Sequence, residues 1–296
     1  MRASLLQIDV NDTESVDSRR RRVAALVREQ AGVDLVVLPE LWTTGAFAYE
    51  EFGAEAEPLE GPTYEAMAKA ASDAGVWLHA GSIPERAAGA SAPASPAPGA
   101  SAAPAPAASA SSSGSGSASG EGSLYNTSLI FSPSGELAAA YRKIHRFGFD
   151  KGEAVLMGAG SELVTVRLPE TVIGVATCYD LRFPELFRGL VDAGAETLVI
   201  PAGWPERRRS HWTLLAQARA VENQAFVLAC GTAGTHAGVP QAGHSIVVDP
   251  WGEVLAEAGA GEEVLTVEFD PAKVGVTREQ FPALKDRLLG LDVPRR

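Results

Sequence analysis

Cysteine is nearly absent from this chain: Cys178 and Cys230 are the only two in 296 residues. Two cysteines cannot build a disulfide framework, and these lack the clustering that a structural zinc site requires. The sequence is therefore expected to work in a reduced, cytoplasmic compartment, without a metal or other cofactor. Long apolar runs are missing too, none approaching the roughly 18 residues of a membrane span, which argues against a membrane partner. The N-terminal stretch Met1–Arg22 has no apolar segment of signal-peptide length and meets acidic residues early. Without secretion, the Asn11 and Asn126 sequons are expected to stay unmodified. Positive charge is also short. Lys and Arg number 25 against 37 Asp and Glu, a formal net charge of −12, and a nucleic-acid partner would need a basic footprint instead.

What is present is an ordinary globular composition, 46% hydrophobic, in a chain long enough to bury a substantial core. One segment breaks the pattern. Residues 87–120 contain nothing but Ala, Ser, Pro and Gly, too little apolar surface to offset the entropy of ordering, so disorder is predicted there. The segment could be an interdomain linker. An expanded surface loop inside one domain, 1–296, fits better, because the flanks read as halves of one repeating α/β scheme and long insertions cost little closure entropy.

In that scheme short apolar runs alternate with helical patterns. Strands are predicted over Ala3–Asp9, Asp34–Pro39 and Val76–Ser82, with helices over Thr13–Ala31 and Thr63–Gly75 between them. The arginines of Arg19–Arg22 are expected on a solvated helix face. Tyr125–Ser132 and Leu137–Tyr141 form a hairpin around Pro133-Ser-Gly135. The second half repeats the theme. Strands are predicted at Thr171–Thr177, Thr197–Pro201, Ala225–Cys230, Ser245–Asp249, Glu253–Ala256 and Val264–Phe269, with helices at Pro184–Ala193 and Trp212–Asn223. Such a pattern predicts an α/β domain with mixed sheets covered by helices.

Three polar residues stand just past apolar strands: Glu40, Lys143 and Cys178. In α/β proteins ligands collect at the carboxyl ends of strands, so three such ends can share one pocket. Singly each is weak, since a cysteine at a strand end is most often a small buried hydrophobe. Together they complete a mechanism. A thiol needs a base or a nearby cation to become nucleophilic. Glu40 offers the base and Lys143 the cation. The oxyanion formed on an attacked amide needs fixed donors, which Lys143 and the Tyr179 backbone N–H can supply. None of His79, His145, His211, His236 and His244 has metal-ligand spacing to another ligand. His145, near the site, is the runner-up base. No Gly-x-Gly-x-x-Gly opens a helix after a strand, which excludes a dinucleotide-binding oxidoreductase.

At these residues the chain resembles the nitrilase, or carbon–nitrogen hydrolase, superfamily, whose signature is an ordered Glu–Lys–Cys triad. The matching segments are Leu38-Pro-Glu40-Leu-Trp42, Tyr141-Arg-Lys143-Ile-His145 and Gly174-Val-Ala-Thr-Cys178-Tyr-Asp-Leu-Arg182-Phe-Pro-Glu185-Leu-Phe-Arg188. Tyr125-Asn-Thr-Ser128, Ala220-Val-Glu-Asn-Gln224-Ala-Phe226, Gly243-His-Ser245 and Asp249-Pro-Trp-Gly252 support the match. The resemblance implies a four-layer αββα sandwich, a homodimer paired through helices, and a small-molecule amide as partner. It also implies a second glutamate between the lysine and the cysteine: Glu153, straight after the lysine motif, or alternatively Glu162. The insert at 87–120 departs from the family pattern, which crosses that connection in a few residues.

Tyr179-Asp180 replaces the Trp-Glu pair common in nitrile-cleaving members. The cysteine motif is instead similar to ω-amidases and to amidases of deaminated glutathione. Leu38–Trp42 and Pro201-Ala-Gly-Trp-Pro205 are similar to bacterial ω-amidases that act on 2-oxo acid amides such as 2-oxoglutaramate. A carboxylate on such a substrate would suit Arg182, although Arg182 could equally pair with Glu185 or another helix residue. The run Arg207–Arg209 is another candidate anion contact. The alternatives are deaminated glutathione amidase, N-carbamoyl amidohydrolase, nitrilase, an amide-forming acyltransferase, or a non-catalytic binding member. The last is disfavoured by the intact triad, and the acyltransferase by the lack of a membrane segment.

Overall fold

The computed structural model describes residues 1–88 and 123–290. The short apolar runs of the first half become β1 (Arg2–Gln7), β2 (Leu35–Val37), β3 (Trp77–Arg86), β4 (Leu124–Phe131) and β5 (Leu137–Arg142). Those of the second half become β6 (Thr165–Arg167), β7 (Val172–Val175), β8 (Thr197–Ala202) and β9 (Phe226–Gly231). A two-residue ribbon follows, β10 (Thr235–His236) with β11 (Val239–Pro240). The last strands are β12 (Ile246–Val248), β13 (Val254–Glu257) and β14 (Glu263–Glu268). Two six-stranded sheets result, ordered β14-β1-β2-β3-β4-β5 and β13-β12-β9-β8-β7-β6.

The two sheets share one plan. In the first, β1, β2 and β3 are parallel, and β14, β4 and β5 add antiparallel neighbours. In the second, β7, β8 and β9 are parallel, and β6, β12 and β13 add antiparallel neighbours. Parallel neighbours need crossover helices. These are α1 (Val16–Arg28) and α2 (Pro62–Ala74) on one sheet, and α4 (Pro184–Asp192) and α5 (Arg209–Asn223) on the other. Between the two pairs lies the single turn α3 (Glu153–Leu156), and α6 (Lys273–Gln280) closes the chain. Caps set the ends: the Ser15 side chain accepts the Ser18 N–H at the start of α1, and Gly75 ends α2 in the left-handed region at φ 68°.

Strand alternation distributes the core into three layers. Leu5, Val37, Val175, Val199, Leu228 and Cys230 fill the space between the sheets. Their neighbours Leu6 and Val36 pack on Val23 and Met67 of the first helix pair. Leu198 and Val227 pack on Leu190 and Ala216 of the second. Because both faces of the central strands are covered, they read as continuous apolar runs rather than alternating ones. Each fully buried Leu or Val contributes about 1.5–3 kcal/mol. The architecture is the four-layer αββα sandwich expected from the motifs.

One expectation is overturned. Arg19–Arg22 is not a solvated face. Arg19 is 2% exposed and donates to the carbonyls of Thr43, Asn11 and Glu14. Arg20 bridges Asp17 and Glu57, and Arg22 holds Glu14 and Glu262. Guanidinium forks satisfy several acceptors at once, so three of the four arginines tie α1 to neighbouring loops. From residue 89 onward, the segment predicted to be disordered (87–120) lies outside the described residues. The strands on either side of it pair directly, Arg86 with Leu124. No helix among the described residues is long and apolar enough to cross a membrane.

Candidate active site

Three strand ends deliver the polar groups to one place. Beyond β2 the chain turns at Glu40, and Leu41 takes the left-handed φ of 43°. Two bonds to β3 pin this turn, from Leu41 N–H to Ser82 Oγ at 3.0 Å and from Trp42 Nε1 to Ala80 O at 2.9 Å. Gly81 makes the approach possible, because a Cβ there would stand 2.0 Å from the Pro39 carbonyl oxygen. Beyond β5, Lys143 continues the hairpin by donating its N–H to Asn126 O at 2.9 Å. Beyond β7, Cys178 opens a 3-10 turn, Cys178–Arg182, at a left-handed φ of 47°. For a non-glycine residue that conformation is strained and persists only where surrounding contacts enforce it.

Asp180 supplies that enforcement. Fully buried, it accepts the Thr177 N–H at 2.8 Å, closing the turn around the cysteine. It also accepts the Tyr141 hydroxyl at 2.7 Å and the His145 N–H at 2.9 Å, and it meets His145 Nδ1 at 2.8 Å. The residues flanking Lys143 are thus bolted to the turn that carries Cys178. The His145 ring is committed to Asp180 and stacks on Phe183, with centroids 3.7 Å apart. It does not line the cavity over the thiol.

Lys143 Nζ lies 2.6 Å from Glu40 Oε1 and 2.6 Å from Glu153 Oε2. Asn126 Nδ2 donates to the other oxygen of Glu153 at 2.6 Å and to Glu40 Oε1 at 2.9 Å. The Gly203 N–H holds Glu40 Oε2 at 2.8 Å, and the Phe147 N–H holds Glu153 Oε2 at 2.9 Å. Glu40, Lys143, Glu153 and Asn126 are all buried. Cys178 Sγ faces the Gly203 carbonyl at 3.7 Å. Glu162 lies elsewhere: it is exposed and lines a separate cavity with Arg142 and Tyr125.

Burial, and after it the Glu40 carboxylate, pushes the Cys178 thiol well above its ordinary value. Burial opposes the charge on Lys143, but Glu153 and Glu40 outweigh it and hold the ammonium well above the usual lysine range. Burial raises Glu153 against the pull of Lys143. The resting arrangement is therefore an ammonium between carboxylates beside a protonated thiol, rather than a preformed thiolate.

A small cavity opens onto Cys178, with Glu40, Lys143, Glu153 and Tyr179 in its wall. The partly exposed Phe147, Arg182 and Arg208 line its mouth, with the buried Trp204 beneath the Arg182 guanidinium. Arg182 makes no ion pair with Glu185; its guanidinium lies over the Trp204 ring at 4.9 Å and contacts His211 Nδ1 at 3.3 Å. Sequence reasoning did not single out Asn126, Gly203, Phe147 or Asp180 as site residues. Asn126 and Asp180 sat inside matched motifs, which was the signal available for them. Among the described residues no group of three His, Cys, Asp or Glu side chains is placed to hold a metal ion.

A structure with this layering is already known in the nitrilase superfamily. A CN-hydrolase superfamily protein of Xanthomonas campestris, solved with an arsenic adduct in its active site, superposes with a TM-score of 0.80. The two are 29% identical over 98% of this chain and 99% of that one. The Carbon-nitrogen hydrolase family pattern matches residues 2–279, and the chain belongs to that family. It is a hydrolase of carbon–nitrogen bonds other than peptide bonds. The 2-oxoglutaramate amidase of Paenarthrobacter nicotinovorans is 37% identical, covering 95% of this chain and 87% of its own length. The omega-amidase NIT2 of Mus musculus is 32% identical, covering 97% and 94%.

Proposed function

We propose that the protein is an ω-amidase, hydrolysing the terminal amide of a small carboxylate such as 2-oxoglutaramate to 2-oxoglutarate and ammonia. The observation that carries this is the placement of Lys143. Two of its three N–H donors are spent on Glu40 and Glu153, and one remains for a substrate oxygen. The relatives named 2-oxoglutaramate amidase and omega-amidase support the substrate.

Cys178 is the nucleophile. As Sγ attacks the amide carbon, its proton passes to Glu40, which suits a thiol that is protonated at rest. The developing oxyanion is held by the free Lys143 N–H and the Tyr179 backbone N–H. Glu40 then gives its proton to the leaving nitrogen, ammonia departs, and an acyl thioester on Cys178 remains. Water enters, loses a proton to Glu40 and attacks the thioester carbon. The carboxylate product leaves as the thiol is reprotonated. Glu153 keeps Lys143 charged and aimed, while Asn126 donates to both carboxylates and fixes their positions. Arg182 receives the substrate carboxylate at the mouth.

The chain acts as one hydrolase domain in the cytoplasm and pairs with a second copy through its helices. Leu214 and Val221 on α5, exposed in the single chain, support that pairing. Sedimentation should return twice the 30.9 kDa chain mass. The substrate is tested by ammonia release from 2-oxoglutaramate beside a nitrile and an N-carbamoyl amino acid. No release from any ω-amide would sink the assignment.

A further inference from the structure

The mouth of the active cavity holds two guanidinium groups that the protein itself does not neutralise. Several other buried or half-buried arginines face carboxylates: Arg19 and Arg22 meet Glu14, Arg20 meets Glu57, and Arg219 meets Glu222. Arg146, Arg188 and Arg278 donate to backbone carbonyls instead. Among the described residues, Arg182 and Arg208 form no ion pair, although the chain carries a net charge of −12. Arg208 goes further, since its guanidinium makes no hydrogen bond to any described group. Its neighbours in sequence behave differently: Arg207 is exposed, and Arg209 reaches Glu257 at 3.4 Å. Of the three consecutive arginines, only Arg208 enters the cavity that holds Cys178.

Arg208 is held there by design of its surroundings. Its backbone N–H bonds to Pro205 O at 2.9 Å, and its carbonyl accepts Trp204 Nε1 at 2.8 Å. Its guanidinium sits over the Phe147 ring at 5.1 Å, as Arg182 sits over Trp204. A partly desolvated cation with idle donors is costly unless an anion completes it. A planar fork on an aromatic face, with its edge free, is suited to a carboxylate or a neighbouring carbonyl oxygen.

We propose that Arg208 is a specificity-determining residue, forming with Arg182 a two-guanidinium clamp on the far end of the substrate. The clamp selects amides whose far end is a carboxylate beside an uncharged acceptor, as in a 2-oxo acid. It rejects the corresponding amino acid amide, whose ammonium group would be brought against a guanidinium. This rests on the amidase reading above, which places the amide carbon at Cys178. Glu40, Lys143 and Glu153 occupy the inner wall, so the rest of the substrate extends toward the mouth and its two rings.

The test compares wild type, Arg208→Gln and Arg208→Lys on four amides: 2-oxoglutaramate, glutaramate, L-glutamine and uncharged butyramide. Losing one charged hydrogen-bond partner is expected to lower kcat/KM on 2-oxoglutaramate by about 10–100-fold in Arg208→Gln. The loss on butyramide should be at least about tenfold smaller, and the glutamine to 2-oxoglutaramate ratio should rise by about tenfold or more. Arg208→Lys should recover part of the loss, since charge returns without the fork. Equal losses on all four amides, or an unchanged glutamine ratio, would overturn the clamp. If wild type cleaves glutaramate but not 2-oxoglutaramate, the substrate reading fails while the glutaramate to butyramide ratio still decides the clamp. If it cleaves none, calorimetry with 2-oxoglutarate decides it. Weaker binding to Cys178→Ala/Arg208→Gln than to Cys178→Ala supports the clamp, and equal binding refutes it.

Discussion

The Tyr141 hydroxyl donates to Asp180 Oδ2 at 2.7 Å, in the buried space between the two sheets' ends. Through that bond the strand that delivers Lys143 is fastened to the turn that delivers Cys178. The residues come from different sheets, so the bond sets the relative position of the two catalytic halves. It also helps to hold Cys178 at its strained φ of 47°.

Asp180→Asn should therefore cost both stability and activity. An amide has a single acceptor oxygen where Asp180 accepts on two, so at least one buried donor loses its partner, at about 3–5 kcal/mol for a broken buried charged network. A melting temperature lowered by roughly 6–20 °C, together with a lower kcat, is the expected result. A variant of unchanged stability would show that Asp180 does not brace the turn.

Lys143→Met should leave Glu40 and Glu153 buried without their cation and destabilise the fold by about 3–5 kcal/mol. The triple variant Lys143→Met/Glu40→Gln/Glu153→Gln removes the charges together and should regain most of that stability while remaining inactive. Denaturant unfolding of both variants separates structural cost from catalytic loss.

Cys178→Ala should fold normally and lose activity by roughly 10⁴-fold or more. In the wild-type protein, quenching during turnover should trap an acyl adduct on the peptide containing Cys178, read by mass spectrometry. An adduct on Cys230, which is sealed between the sheets, would refute the assignment.

The thiol's reactivity should report on Glu40. Because burial and then the Glu40 carboxylate raise the Cys178 thiol, alkylation by iodoacetamide should be slow at neutral pH. It should climb only above the ordinary thiol range near about pH 8.5. Glu40→Gln removes the second of these influences, so the midpoint of the alkylation profile should move down. An upward shift would contradict the geometry.

Acid stability should depend on His236. Burial lowers it to about 4, so between about pH 6.5 and 4 the unfolded chain binds a proton that the folded one refuses, and stability falls as pH falls. From pH 7 to 4.5 this amounts to about 2–3 kcal/mol. His236→Gln should flatten that part of the stability profile by the same amount in urea unfolding at the two pH values.

The sequence by itself determined the layering and the chemistry of the centre. Continuous apolar runs such as Leu35–Val37 and Thr197–Ala202, separated by helical stretches, imply strands covered on both faces, because only burial on both sides removes the usual alternation. Glu40, Lys143 and Cys178 were legible because each stands where such a run ends, and local order decides strand ends. Tertiary structure alone decided how these ends meet. Nothing local to Arg19 reveals that loop carbonyls wait for it, and nothing local to Arg208 separates it from Arg207 and Arg209. Asn126 acquires its place between two carboxylates only when β4 meets the turn after β2. These depend on contacts between residues far apart in the chain, whose partners exist only once the two sheets have packed. For Cys178, strand-end position made the thiol a candidate, and the packed fold surrounded it with Glu40, Lys143 and Glu153.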